Sequence, residues 1–512
     1  MMRVAGACAP GMIVAIWLGF VPSIMAMSRS HLEAAPIPAP VGCQPDTLQY
    51  VADESAGDPL RTPVCTRRPT DCGHAATYAT HTMNRFTHTQ SALGDIAARL
   101  IELARARGAS ACEVDVSEGH GQSVTVRRGE VETIEYTRDK GLGVSVYLGH
   151  RRGFSSSSDF SDEALALTVD AALSIARHTA VDPCAGLPDV EELARDWKDP
   201  GLYFPWTLDI AAATEMARCC EAAALGLSPL ITNSEGATVS THHAQFVSAN
   251  SLGFFGGYAS SRHTLACSVI ASQDDEMQRD DWYASRRDSD ELPQPEAIGA
   301  YAGQRALARL GARRMPTTSV PVLFEAPLAC GLLGNFAQAA SGGSLYRKSS
   351  FLLDALGKLT FSPNVTIMER PGLPKGLASR PFDDDGVATH DRDVVLNGVL
   401  QGYFLGTYSA RKLGMKSTGN AGGSHNLILT PGTYDFQQLI REMGRGLIVT
   451  ELLGQGVNYV TGDYSRGAAG YWVEGGEIRH PVHEVTIAGN LADMFRDIVA
   501  IGDDLIVRGG KQ

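Results

Sequence analysis

The chain has 512 residues, 44% of them hydrophobic and 20% charged, the composition of a folded protein with more length than one ordinary domain needs. Its formal net charge of −13, with no cluster of Lys and Arg, argues against direct nucleic-acid binding, because phosphate contacts need concentrated positive charge. Ten cysteines stand at irregular positions without a CxxC, so they read as unpaired thiols of a reducing compartment, not as a disulfide framework.

The first residues point the other way. MMRVAGACAPGMIVAIWLGFVPSIMAMS carries Arg3, an apolar run from Met12 to Phe20 and a small residue at Ala26, the outline of a secretory signal with a poor cleavage site. Residues 27–82 are Pro-rich and lack any helical or strand period, as in a linker or translated upstream DNA. Met83 begins sequence of a different kind. We therefore expect residues 1–82 to be an extension or a mis-assigned start, the folded chain to begin near Met83, and the protein to be cytoplasmic.

Leu93, Ile96, Ala97, Leu100 and Ala104 fall at helical spacing, with Gly108 as a stop. From Ala111 to Asp159 apolar and polar residues alternate between Gly-containing turns, the pattern of an antiparallel meander. A second helix follows Ser161, a candidate N-cap with acids in the first turn. Residues 180–206 are proline-spaced and wrap the surface. A third helix runs from about Asp209 to Ala224, and two strand-like runs, ATVSTHHAQFVSAN and SSRHTLACSVIASQ, flank the turn-rich SLGFFGGYA. Another helix opens at Pro295 and closes on basic residues that suit its C-terminal dipole.

Residues 83–315 thus read as an N-terminal α+β domain with helices on an antiparallel sheet. Residues 316–512 read as a mostly β, Gly-rich C-terminal domain with the short strands SVPVLFE, NVTIMER, RDVVLNGVLQGYFL, YWVEGGEI and HEVTIAG. Asn397-Gly398 and Gly475-Gly476 lie between apolar runs as hairpin turns. No transmembrane span is expected. One of the few helices of this half is the start of GLLGNFAQAASGGSLYRKSSFLLDALGK, residues 331–358, which has the look of a site yet holds no His, Cys or carboxylate before Asp354.

Catalytic patterns are scarce. His483-Glu484 lacks the second His one turn on that a zinc-protease helix needs, and its β-branched neighbours make it a strand. His242 and His243, adjacent on a strand, point to opposite faces and cannot share a metal. His390, His425 and His480 lie on turn-like segments and read as surface or hydrogen-bonded residues. Asp383-Asp384-Asp385 lacks the spaced oxygens of a calcium loop and reads as a solvated turn. There is no Walker A, GxGxxG or GxSxG pattern. Three Gly-rich stretches, residues 342–348, 409–425 and 452–472, let backbone approach a ligand or another chain, with Arg347, Lys348, Arg411, Lys412, Lys416 and Arg466 adding charge. An extended peptide or a subunit interface suits such loops.

GLLGNFAQAASGGSLYRKSSFLLDALGK, SARKLGMKSTGNAGG, ELLGQGVNYVTGDYSRGAAGYWVEGGEI and HEVTIAGNLADMF together resemble the PmbA (TldE) branch of the TldD/PmbA metallopeptidase family, over roughly residues 88–508. The resemblance implies a cytosolic heterodimer of two related chains that degrades unfolded peptides, processes peptide antibiotics or antitoxins in some bacteria, and is linked to DNA gyrase modulation. In the TldD-type partner a helix carries His-Glu-x-x-x-His, and a cysteine near the C-terminus completes a zinc site. The equivalent helix here, around Cys330 to Ala340, offers Leu333, Gly334, Asn335, Phe336, Ala337 and Gln338 instead.

The resemblance therefore implies zinc in the TldD-type partner, with no catalytic or zinc-binding residue in this chain. Arg347, Lys348, Arg411, Lys412 and Arg466 are its substrate or interface candidates. Two other readings stand beside it: a regulatory binding module acting on DNA gyrase or another partner without peptidase activity, and an autonomous peptidase built around Cys330 and His425. The chain closes on Val507-Arg508-Gly509-Gly510-Lys511-Gln512, beyond which the resemblance implies one further strand.

Overall fold

A computed structural model describes residues 2–5 and 86–512; the leader-like segment beyond Ala5 and the Pro-rich stretch lie outside the described residues. Met2–Ala5 forms strand β1. Helix α1 (Gln90–Ala106) starts where the Thr89 side chain accepts from Ala92 N, and buries Leu93, Ala97, Leu100 and Ala104. Strands β2 (Ala111–Arg127), β3 (Glu130–Leu148) and β4 (Arg151–Ser157) form the expected meander. Its first turn places Arg128 and Gly129 at φ 53° and 77°, the left-handed pair that a tight hairpin requires.

Helix α2 (Asp162–His178) is capped by Ser161, and α3 (Ile210–Leu225) by Asp209. Strands β5 (Ile231–Asn250), β6 (Phe255–Gly256), β7 (Ala259–Gln273) and β8 (Glu276–Arg286) complete one antiparallel sheet in the order β4-β3-β2-β5-β7-β8, with β6 beside β5. Helix α4 (Pro295–Ala308) follows.

The even-numbered residues of β2 face the helices. Val114 and Val116 pack under α1 and α2, while Val124 and Val126 pack with Ala213 and Ala217 of α3 and Ile298 and Ala302 of α4. Between these apolar patches lies a buried polar strip of Glu118, His120 and Gln122. The odd-numbered residues, Asp115 among them, look to the opposite face. Residues 179–208 hold little regular structure, as their prolines suggested, but Leu193 and Leu202 are buried with Phe254, Tyr258 and Phe382.

A third hydrophobic cluster extends from Met315 to Ile506. Strand β9 (Val322–Phe324) leads into α5 (Ala326–Ala339) and the short α6 (Gly342–Tyr346). Strands β10 (Ile367–Glu369), β11 (Arg392–Leu396), β12 (Val399–Leu400) and β13 (Leu427–Leu429) form an antiparallel sheet in the order β12-β11-β10-β13. Asn397 and Gly398, at φ 49° and 79°, make its expected hairpin turn. Strands β14 (Arg445–Leu453), β15 (Asp463–Glu474) and β16 (Glu477–Asn490) pair antiparallel, with β9 parallel to β14 and β1 parallel to β16.

Helices α7 (Thr407–Leu413), α8 (Phe436–Met443) and α9 (Leu491–Arg496) were not read from the sequence. The last residues run beside β13, where Leu427 N donates to Gly510 O at 2.8 Å and Gln512 N to Leu427 O at 2.9 Å.

Phe336 of α5 is fully buried and meets the Phe361, Phe404 and Phe495 rings edge-on, with centroids 5.1, 6.0 and 6.4 Å away. Buried ion pairs join α4 to its neighbours: Arg305 bonds Asp280 at 2.9 Å and Glu325 at 2.5 Å, and Arg309 bonds Glu451 at 2.5 Å. None of the described cysteines Cys112, Cys184, Cys219, Cys220, Cys267 and Cys330 forms a disulfide. Among the described residues no helix is long and apolar enough to cross a membrane.

Candidate functional site

Helix α5 turns Leu332, Leu333, Phe336 and Ala339 into the core and leaves Gly334, Ala337 and Gln338 on its other side. Spaced three and four residues apart, these form one stripe that continues into Ser341. The stripe lines a cleft of about 580 Å³ whose far wall is the glycine loop Asn420–Ser424, with Phe404, Gly406 and Tyr408 between. At one end the Gln338 carbonyl accepts from Ser341 Oγ at 2.9 Å and Ser344 Oγ at 2.8 Å, which fixes the step from α5 into α6.

The glycine loop is held from behind by a buried carboxylate. Glu369, 1% exposed, accepts from Arg392 Nε at 2.7 Å, Asn420 Nδ2 at 2.8 Å and His425 N at 2.8 Å. Arg392 also donates to Asn420 Oδ1 at 3.0 Å. In front of this anchor Gly422 and Gly423 sit at φ +90° and +116°, conformations closed to most side chains, so the wall facing the cleft is largely backbone. Peptide N–H and C=O groups lining a groove are the partners an extended chain uses.

The Asp383–Asp385 turn corrects the sequence reading, for it is not simply solvated. Asp383 is 2% exposed and accepts from the N–H groups of Asp385, Val387 and Ala421. Burial, with the Asp385 charge beside it, pushes its carboxyl up to about 7. Asp384 pairs with Arg380, and Asp385 reaches the cleft and accepts from Thr407 N at 2.9 Å.

The predicted residues scatter. Arg347 and Lys348 are exposed just past α6, where Arg347 stacks over Tyr346, a cleft residue, at 5.1 Å. Arg411 and Lys412 are spent within the chain: Arg411 donates to Leu187 O at 2.8 Å and pairs with Asp189 at 3.0 Å, and Lys412 pairs with Asp182 at 2.9 Å. Arg466 lies outside the cleft on β15 and donates to Leu452 O at 3.3 Å. Gln338, Asp385, Asn420 and Lys511, which do line it, are not among the substrate or interface candidates of the sequence reading. Only the glycines around Asn420 offered a local signal.

Cys330 and His425 do not form a dyad. The Cys330 thiol, raised to about 11 by burial, points at the Ile506 and Lys511 carbonyls, 3.7 Å away. His425 Nε2 lies 2.8 Å from Gly419 O and must carry the proton there, since a carbonyl only accepts. His483 and Glu484 lie on β16, with Glu484 paired to Arg314. His390 is exposed, and His480 Nδ1 bonds Pro481 O at 3.1 Å.

His242 is exposed while His243 is buried, on opposite faces as expected. Sequence spacing gave no sign that His243 meets two other imidazoles. Its ring lies 4.8 Å from His120 and 5.5 Å from His263, and Thr241 Oγ1 is 2.9 Å from both His243 Nε2 and His263 Nδ1.

A catalytic zinc needs three protein donors around an open position. The cleft lining supplies one carboxylate, Asp385, and no imidazole or thiol, and among the described residues no group of three or more His, Cys, Asp or Glu is placed to hold a metal. The donor set does not fit zinc.

Three family models match the chain: PmbA/TldA metallopeptidase domain 1 over residues 112–176, the central domain over 203–310 and the C-terminal domain over 317–512. Metalloprotease PmbA of Escherichia coli O157:H7 is 49% identical over 412 residues, 80% of this chain and 91% of the relative. A metalloprotease PmbA homolog of Haemophilus influenzae is 47% identical over 413 residues, again 80% and 91%. A Thermotoga maritima crystal structure described as a candidate modulator of a DNA gyrase aligns with TM-score 0.75 at 28% identity, covering 82% of this chain and 96% of that one. TldE from Thermococcus kodakarensis, at 19% identity, TM-score 0.70 and coverage of 80% and 94%, shares the fold.

Proposed function

Because the chain belongs to the PmbA/TldA metallopeptidase family, we propose that it is the peptide-holding subunit of a two-chain metallopeptidase, with the zinc and the chemistry supplied by a TldD-type partner. The observation that carries this reading is the cleft on α5. The helix face where the resemblance places a zinc motif carries Gly334, Ala337 and Gln338, while the opposite wall is glycine backbone braced by Glu369. Such a groove accepts an unfolded peptide in extended form by main-chain hydrogen bonds and leaves room for side chains of many kinds. Its lining offers no donor set for a metal that could activate water. The cytoplasm, where unfolded peptides and reduced thiols coexist, is the compartment that suits this role.

The test is peptidase activity on an unstructured peptide. The purified chain is expected to be inactive alone and active when mixed with the TldD-type chain of the same genome; activity of the isolated chain would overturn the proposal. A second reading, a regulator acting on DNA gyrase or another partner, is favoured by the gyrase description attached to the Thermotoga maritima structure. It predicts a stable complex with gyrase in the absence of any TldD-type chain and no gain of peptidase activity in the mixture.

A further inference from the structure

The face of the large sheet away from its helices closes over a second cavity, of about 550 Å³, between Asp115, Ser248 and Arg262 on the strands and Leu377, Arg380 and Asp384 of the C-terminal half. Its acids are all engaged. Asp383 is bound by three backbone N–H groups, Asp384 pairs with Arg380, and Asp115 is hydrogen-bonded by Ser248.

The cations are not matched in the same way. Arg287 lines this cavity and is only 9% exposed; it donates to two carbonyls, Ser261 O at 2.9 Å and Leu377 O at 2.8 Å, and pairs with no carboxylate. Its Nε is buried without any partner among the described residues. Arg262, exposed at the same cavity, makes no ion pair among the described residues either. Burial and the nearby Arg262 charge draw the Arg287 guanidinium down to about 10, which still leaves it cationic at neutral pH. A buried cation without a counter-charge is a costly feature for a protein to keep, and an anion supplied from outside removes the cost.

We propose that this cavity is a carboxylate subsite, in which Arg287 and Arg262 receive the C-terminal carboxylate of a bound peptide. The inference rests on the reading that the chain holds peptides, and it adds which end is held and where. The Asp383–Asp385 turn is a common wall, for Asp385 faces the α5 cleft while Asp383 and Asp384 face this cavity. A peptide lying along the glycine loop with its C-terminus toward this turn would bring its last residues to the side of the turn that Arg287 lines. A planar guanidinium suits a carboxylate, which it can bind through two parallel hydrogen bonds.

The test is calorimetric titration of the full chain, without a partner, with N-acetyl-trialanine, with the same peptide as its C-terminal amide, and with inorganic phosphate. The free acid is expected to bind at least about tenfold more tightly than the amide, as loss of a charge-assisted bond implies. Arg287→Gln and Arg262→Gln should each erase that preference. Should Arg287→Gln fail to fold, Arg262→Gln decides, since that residue is exposed. Equal affinity for acid and amide, absence of binding by the acid, phosphate binding where the peptide does not bind, or an unchanged preference in Arg262→Gln would each overturn the assignment. None of these results bears on activity in the mixture with a TldD-type chain, so the subsite and the subunit role fail separately.

Discussion

Replacing Glu369 by alanine removes the carboxylate that holds the glycine loop against β10 and β11. Three donors lose their acceptor at once: Arg392 Nε, Asn420 Nδ2 and His425 N, all within 2.8 Å of it. The Glu369 side chain is 1% exposed and that of Arg392 20%, so little water replaces the lost partner. Breaking a buried ion pair by deleting one member costs about 3–5 kcal/mol, chiefly through the charge left behind. At about 1.4 kcal/mol per tenfold, opening of the loop becomes more frequent by roughly two to three and a half powers of ten. Hydrogen exchange read by mass spectrometry on peptides spanning residues 419–426 should show this loss of protection, while peptides from β2 and β5 stay as protected as in the parent. A Glu369→Ala protein that costs less than about 1 kcal/mol in denaturant and keeps the loop protected would refute the view that this carboxylate builds the cleft wall.

Phe336→Ala should destabilise by about 3–5 kcal/mol in urea unfolding, because it empties the centre of a ring cluster from a residue with no exposure. Gly422→Ala forces a β-carbon onto a residue at φ +90° beside the Asp384 carboxylate, so it should cost about 1–3 kcal/mol and weaken peptide binding. The His243 imidazole, drawn down to about 3 by burial and by the neighbouring His120 and His263 rings, binds fewer protons in the folded than in the unfolded state between about pH 3 and 6.5. Its stabilising contribution is therefore full above pH 6.5 and lost as the pH falls toward 3. Asp383, raised to about 7, acts in the opposite sense, its contribution being lost as pH rises from about 4 to 7. Urea midpoints at about pH 7 and pH 5 should accordingly show a smaller loss on acidification for His243→Phe than for the parent.

Elements whose local chemistry is self-contained could be read in the sequence. Ser161 with Asp162 and Glu163, and Pro295 as first residue, announce α2 and α4, and the hairpin at Asn397-Gly398 announces itself by residues that tolerate positive φ. Strand β8 did not, since EMQRDDWYASR is polar: Asp280 serves buried ion pairs with Arg305 and Arg309, so no apolar alternation survives. Helix α8 carried a signal that was passed over, the reciprocal capping of Asp435 and Gln438.

The site was legible in its parts but not in its assembly. Residues 331–358 and 409–425 each stood out, yet that α5 faces the 420–424 loop depends on the Glu369 anchor, which lies fifty or more residues from Asn420 and His425 and leaves no local pattern. The same distance hid the meeting of His120, His243 and His263, and the role of Arg287 beneath Leu377. Basic residues in Gly-rich sequence proved a poor guide, because Arg411 and Lys412 satisfy carbonyls and acids of the chain's own proline-spaced segment.

The most direct measurement of the central claim is the zinc content of the purified full chain, taken alone and after complex formation with the TldD-type chain of its own genome. The isolated chain is expected to hold no stoichiometric zinc, and the zinc of the complex to follow the partner alone, unchanged by Gln338→Ala in the α5 stripe. Stoichiometric zinc retained by the isolated chain would contradict that claim.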